Sequence, residues 1–284
     1  MRDPDIILSK ILKNIDNNSV VLLIDEYDTP LTYHLDNSDE LKDILSLLNC
    51  FYATVKRYTG NFRLIFITGI TRSIRTSIFS TFNNFLDISF DSDFNQLLGF
   101  TQDDLHRYFD KYVENAAQVL SLKKEDVYQR LNQYYGGFQF SLDANETVYN
   151  PLSLLSFFKQ TDKGFQDCYF NSDSTNSLTM KYLKVNNSDL MNYNDREIYI
   201  NKEELAIHYQ ITDTPLDILL YQAGFLTIKK MTGNAAKLEF PNTEVKNSLL
   251  YLYPYKNTVN SSSRSDLSLH RKPASLFSKI IRKK

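Results

Sequence analysis

An α/β architecture, a parallel sheet dressed by helices and followed by a mainly helical region, is the fold class this 284-residue sequence predicts. Two uninterrupted apolar runs, Val20–Ile24 and Leu64–Ile67, are too short for helices and rich in strand formers. A segment of helical period separates them, the pattern of parallel strands buried on two faces. From Thr101 onward helix-start signals recur and strand signals thin out.

Asp3 reads as an N-cap with Pro4 at the first helical position, and Ile7, Ile11 and Ile15 follow at helical spacing. The run Asp16–Ser19 breaks that pattern before the Val20–Ile24 strand. Cap chemistry at Asn37 to Glu40 opens a helix reaching about Lys56, with Leu41, Ile44, Leu45, Leu48, Tyr52 and Val55 on one face. The Leu64–Ile67 strand follows, and Ile88–Phe90 is expected to add another. Thr101 and Asp104 have capping-box spacing, and helices are predicted over 102–120, 123–134, 151–159 and 215–223. Asn150-Pro151 and Thr214-Pro215 repeat the cap-then-proline start, while Gly136-Gly137 and Gly224 stand where helix ends favour positive φ. Phe225–Lys229 and Lys237–Phe240, joined through Thr232-Gly233-Asn234, form a small hairpin. Beyond about Lys256 the chain turns to Ser, Asn and basic residues, a flexible basic tail. The expected organisation is therefore an α/β unit over 1–100, a helical unit over 101–255 and a tail over 256–284.

With 42% hydrophobic and 23% charged residues the composition is globular. The net charge of −2 offers no general attraction to nucleic acid or to an anionic membrane, so such a partner would have to meet a local patch such as the basic tail. Cys50 and Cys168 have neither disulfide nor zinc spacing and are expected as reduced, buried thiols. The four histidines are scattered, without metal spacing. No window reaches the ~18 apolar residues of a membrane span, so a soluble, intracellular (cytoplasmic) protein with no membrane partner is expected. Nineteen Tyr and nineteen Phe suit core packing better than base stacking.

The chemistry-bearing run is Val20-Val-Leu-Leu-Ile-Asp25-Glu26-Tyr27-Asp28, a strand that delivers two adjacent carboxylates at its carboxyl end. Open α/β sheets bind ligands outside that end. In P-loop ATPases the first acid holds Mg2+ and a following glutamate orients and deprotonates the attacking water. Asp25 and Glu26 fit these roles, although solvated turn acids give the same pattern. The next strand runs into Thr68-Gly69-Ile70-Thr71-Arg72, placing hydroxyls and an arginine on the same sheet edge.

Several segments then coincide in order: Leu-Leu-Ile-Asp-Glu-Tyr-Asp-Thr-Pro-Leu (22–31), Thr-Gly-Ile-Thr-Arg-Ser (68–73), Ser-Ile-Phe-Ser-Thr-Phe-Asn-Asn (77–84) and Leu-Leu-Gly-Phe-Thr (97–101). Tyr-Tyr-Gly-Gly-Phe-x-Phe (134–140), Val-Tyr-Asn-Pro-Leu-Ser-Leu-Leu (148–155) and Leu-Leu-Tyr-Gln-Ala-Gly-Phe-Leu-Thr-Ile (219–228) continue the series. With these the chain resembles the AAA-ATPase-like proteins of bacteria and some eukaryotic microbes, which often carry a C-terminal PD-(D/E)xK nuclease-like domain. The resemblance implies a partial P-loop NTPase sheet followed by a helical lid-like domain with a partner-facing surface, using ATP and Mg2+. Residue by residue it implies Asp25 as the metal ligand, Glu26 as the catalytic base, and Thr71 and Arg72 as the segment sensing the terminal phosphate.

The chain departs from the family in one respect that governs activity. No Gly-x-x-x-x-Gly-Lys-Ser/Thr occurs, and the 19 residues before Val20 are too few for the strand, loop and helix that would carry it. Without the N–H groups and lysine of that loop the main grip on the phosphates is missing. An incomplete ATPase, impaired alone and exposing an apolar sheet edge, is expected. Its partner would be a missing N-terminal half or an unknown protein. The alternative is a non-catalytic protein-interaction module. Glu244-Val245-Lys246 has the Glu-x-Lys look of the nuclease but follows a helix start at Pro241-Asn242, and chance explains it better.

Overall fold

Pro4 opens the first helix of the computed structural model, α1 (Pro4–Leu12), whose end is capped when the Asn61 amide donates to the carbonyls of Leu12 and Ile15 at 3.2 and 2.7 Å. The structure describes residues 4–72, 85–143, 146–167, 178–183, 193 and 196–249. The Asp3 cap, the 77–84 segment, Cys168 and the basic tail fall outside these residues.

Strands β1 (Val20–Ile24) and β2 (Phe62–Ile67) pair in parallel, Ile24 opposite Ile67. Between them lie a short helix α2 (Thr29–Tyr33) and the long α3 (Ser38–Arg57). As its sequence required, α3 is capped by Asn37, whose side-chain oxygen accepts from the N–H groups of Asp39 and Glu40. Leu22, Ile24, Ile65 and Ile67 pack against Leu41, Tyr52 and Val55 of α3. Strands buried on both faces were expected, and here the structure differs. Val21 is 52%, Leu23 67% and Leu64 51% exposed. Successive strand side chains alternate between faces, and among the described residues α1 and α3 cover only one. Cys50, expected inside, is exposed.

The predicted 102–120 helix is two, α4 (Gln102–Tyr108) and α5 (Asp110–Leu120). They break at Phe109, whose ring lies 5.0 Å from Phe100 and 5.6 Å from Phe158, so an aromatic cluster overrides an otherwise continuous helical period. The capping box is complete, Thr101 and Asp104 exchanging side-chain and backbone hydrogen bonds. Helices α6 (Lys124–Tyr135) and α7 (Pro151–Lys159) close this bundle around Leu105, Val113, Leu131, Leu154 and Phe157. Gly137 and Gly224 take positive φ, whereas Gly136 does not.

Residues 178–183 form helical α8, followed by β3 (Ile198–Asn201), α9 (Lys202–Ala206), α10 (Leu216–Gln222), β4 (Thr227–Thr232), β5 (Ala235–Glu239) and helical 243–249, α11. These strands make an antiparallel sheet of order β3-β5-β4, its β4–β5 turn at Gly233-Asn234 with Gly233 at φ 60°. The hairpin was legible, but β3 was not. Ile88–Phe90 is no strand; Asp87 accepts from the Ser89 N–H at 3.0 Å and turns the chain there. Among the described residues the protein is thus mixed α/β, with one small parallel and one antiparallel sheet. The core around the parallel sheet also takes Leu178, Tyr182, Ile211 and Leu219 from far downstream. No helix of the described residues is long and apolar enough to cross a membrane.

Candidate functional site

At the carboxyl ends of β1 and β2 two turns face each other, residues 25–28 and 68–72. The parallel register places Asp25 beside Thr68, whose hydroxyl donates to the Asp25 carboxylate at 2.5 Å. The Tyr27 N–H donates to the Thr68 carbonyl at 2.9 Å and the Thr68 N–H to that of Ile24 at 2.8 Å, so pairing continues past the strands. Asp25 and Glu26 are both exposed.

Glu26 adopts the left-handed conformation, φ 50°, which costs a non-glycine residue about 1–2 kcal/mol. Local bonds offset that cost: its carbonyl accepts from the Thr29 N–H at 3.0 Å and its carboxylate from the Thr29 hydroxyl at 2.9 Å. The conformation bends the chain sharply out of β1, leaving the Glu26 carboxylate over the start of α2.

Asp28, by contrast, is fully buried. Its carboxylate accepts from the N–H groups of Ile70 and Thr71 at 3.1 and 2.6 Å and from the Thr71 hydroxyl at 2.7 Å. Burial raises its pKa, and the Thr71 and Ile70 hydrogen bonds oppose that rise. The Tyr27 hydroxyl donates to the Thr71 carbonyl. A Cβ on Gly69 would stand 2.3 Å from the Tyr27 ring and 2.8 Å from the Asp28 carboxylate, so only glycine lets the two turns close together.

Arg72 leaves this edge in the other direction. Its guanidinium donates to Asp87 at 2.5 Å and to the Leu205 carbonyl at 3.1 Å, and lies 4.5 Å from the centre of the Phe90 ring. Its backbone N–H donates to the Gln222 side chain at 3.1 Å. Burial works against the Asp87 charge, but the Arg72 hydrogen bond and charge hold this carboxyl well below the usual carboxylate range.

The fold therefore brings Asp25, Glu26 and Thr68 together at one surface, whereas the Thr71 hydroxyl is turned to Asp28 and the Arg72 guanidinium to Asp87. Sequence reasoning passed over Asp28 and Asp87. The first carried a usable signal, a third acid within four residues of a strand end; the second carried none. Among the described residues no three His, Cys, Asp or Glu side chains gather as a metal cluster.

Residues 4–79 match the profile of the AAA-ATPase-like family, described as a predicted AAA-ATPase, a span that contains both turns. The chain is also 28% identical over 239 residues to an uncharacterized protein in the vnfD 5′ region of Azotobacter chroococcum mcd 1. The alignment covers 81% of this chain and 42% of that relative, so the chain spans less than half of the relative's length. No solved structure matches.

Proposed function

We propose that the AAA-ATPase-like segment over residues 4–79 carries the metal- and water-handling half of a Mg2+-dependent ATP site at the carboxyl ends of β1 and β2. The observation that supports this most is the Thr68 hydroxyl bound to Asp25 across two parallel strand ends, with Glu26 next in the chain. Carboxylate and hydroxyl oxygens at an exposed edge suit Mg2+, which takes few protein ligands and keeps waters and substrate phosphates for the rest. In this reading Asp25 holds the metal and Glu26 orients and deprotonates water, while bound Mg2+ neutralises charge on the phosphates. Thr71 and Arg72 follow Thr68 in the chain, but with the hydroxyl of one turned to Asp28 and the guanidinium of the other to Asp87 they take no part in contacting the phosphates in this reading.

The metal fits these residues; a triphosphate fits them only in part. No Gly-x-x-x-x-Gly-Lys-Ser/Thr stands in the sequence, so the phosphate grip falls to another polypeptide segment, and turnover by this chain alone is weak. The region beyond residue 100 then serves as the lid-like, partner-facing part. A second reading, a non-catalytic interaction module, is favoured by the apolar sheet face at Val21, Leu23 and Leu64.

Calorimetry with Mg2+ and Mg-ATP, paired with ATP turnover, tests the assignment. Asp25→Asn should weaken Mg2+ binding at least tenfold, and Glu26→Gln should lower turnover by about a hundredfold or more. Equal turnover by wild type and Glu26→Gln removes Glu26 from the reaction. Absence of any Mg-ATP heat, with a partner captured all the same, selects the interaction module.

A further inference from the structure

Thr71 and Arg72, adjacent in the chain, bond in opposite directions. Thr71 gives its N–H and hydroxyl to buried Asp28 at 2.6 and 2.7 Å, and its carbonyl accepts from Tyr27. All three bonds bind the turn that presents Asp25 and Glu26. Arg72 gives its N–H to Gln222 on α10 at 3.1 Å, and its guanidinium to the Leu205 carbonyl on α9 at 3.1 Å and to Asp87 at 2.5 Å. Phe90, under the guanidinium, is stacked on Tyr221 of α10 with rings 6.1 Å apart and 8° from parallel. His208 stands 3.4 Å from the same Asp87 carboxylate.

These groups have little freedom to absorb a displacement. Thr71 is 2% exposed, and the side chains of Arg72 and Asp87 are 15% and 24% exposed. Losing one partner here strands a desolvated donor or charge, so a shift of the acidic turn is carried into Arg72 rather than dissipated in water. The planar arginine fork fixes orientation as well as distance, which a lysine would not.

We propose that Thr71 and Arg72 are positioning residues that couple the acidic turn at Asp25–Glu26 to the helical region at α9 and α10. Whatever binds at the turn alters the packing of α9 and α10, and by reciprocity that packing sets the affinity of the turn. The part concerning a bound metal rests on the reading of Asp25 and Glu26 given above; the coupling itself does not.

The test is a double-mutant cycle on the full chain, Asp28→Asn against Asp87→Asn, read by urea unfolding. These carboxylates bond different residues, so without coupling their effects multiply independently. The expected result is a departure of at least fivefold in the unfolding constant. Thr71→Ser, which keeps the hydroxyl, should restore what Thr71→Val loses. As a second readout, Asp87→Asn should weaken Mn2+ binding at the acidic turn at least fivefold. If Asp87→Asn does not fold, Arg72→Lys takes its place in both measurements. Independent effects in the cycle overturn the coupling, as does an unchanged Mn2+ affinity in Asp87→Asn. If wild type binds no Mn2+ while the cycle departs as expected, the metal reading fails and the coupling stands.

Discussion

Asp28 and Asp87 are both carboxylates drawn into the protein, and their surroundings push them in opposite directions. Burial raises the pKa of Asp28, against which three hydrogen bonds are set. At Asp87 burial also works upward, but the Arg72 guanidinium prevails and the carboxyl falls well below its usual range. The consequences for stability differ in sign. A depressed folded pKa means that the Asp87 contribution is complete above the unfolded value of about 3.9 and is lost as pH falls below it. The raised Asp28 value means that its contribution is complete at low pH and is lost as pH rises through the folded value. Urea midpoints taken from neutral pH down to about pH 3 should therefore fall less steeply in Asp87→Asn than in wild type. Parallel curves for the two proteins would show that the Arg72–Asp87 pair does not act this way. At this scale the sequence placed Asp25 and Glu26 at a strand end, but it could not assign Asp28 and Asp87. Their roles depend on Thr71 and Arg72, residues brought to Asp28 by the closing of two turns and to Asp87 by the packing of the chain beyond them.

Caps and prolines made the helices legible. Asn150-Pro151 starts α7, Thr101 and Asp104 start α4, and Asn37 starts α3, each with the side-chain bond that its residue type calls for. Thr101→Ala should cost about 1 kcal/mol, measured by chemical unfolding, because it leaves the Asp104 N–H without its partner at the half-buried start of α4. A cost below about 0.3 kcal/mol would mean that packing alone holds the helix start. The five-residue helices α2 and α9 escaped notice, since so short a run shows little more than one turn, and so did β3, whose four residues give too short an alternation to stand out. The break at Phe109 escaped for another reason. Its period is helical on both sides, and only the rings of Phe100 and Phe158 decide that the chain must turn there.

At the scale of the molecule, one face of the parallel sheet stands out because none of the described residues covers it. Val21, Leu23 and Leu64 project from strands that ordinarily lie between two layers of helices, and exposed apolar faces of this kind promote association. Leu23→Ser should change folding stability by less than about 0.5 kcal/mol, since Leu23 is 67% exposed, yet reduce self-association in sedimentation. A loss of stability above about 2 kcal/mol would show that something covers Leu23 in solution. The opposite face, against α1 and α3, also receives Tyr182, Ile211 and Leu219 from the downstream region. A core shared across that separation in the chain is invisible to any local pattern.

By itself the sequence determined the two parallel strands, the hairpin and the capped helix starts, that β1 ends in two acids, and that no phosphate-gripping motif accompanies them. Period, capping and composition are local properties, and local bonds enforce them. Only the tertiary structure decided that the described residues leave one sheet face uncovered, that Asp28 is sealed beneath the acidic turn, and that Arg72 reaches Asp87 and Leu205. Burial and pairing are set by which distant surfaces meet, and that depends on packing of the whole chain.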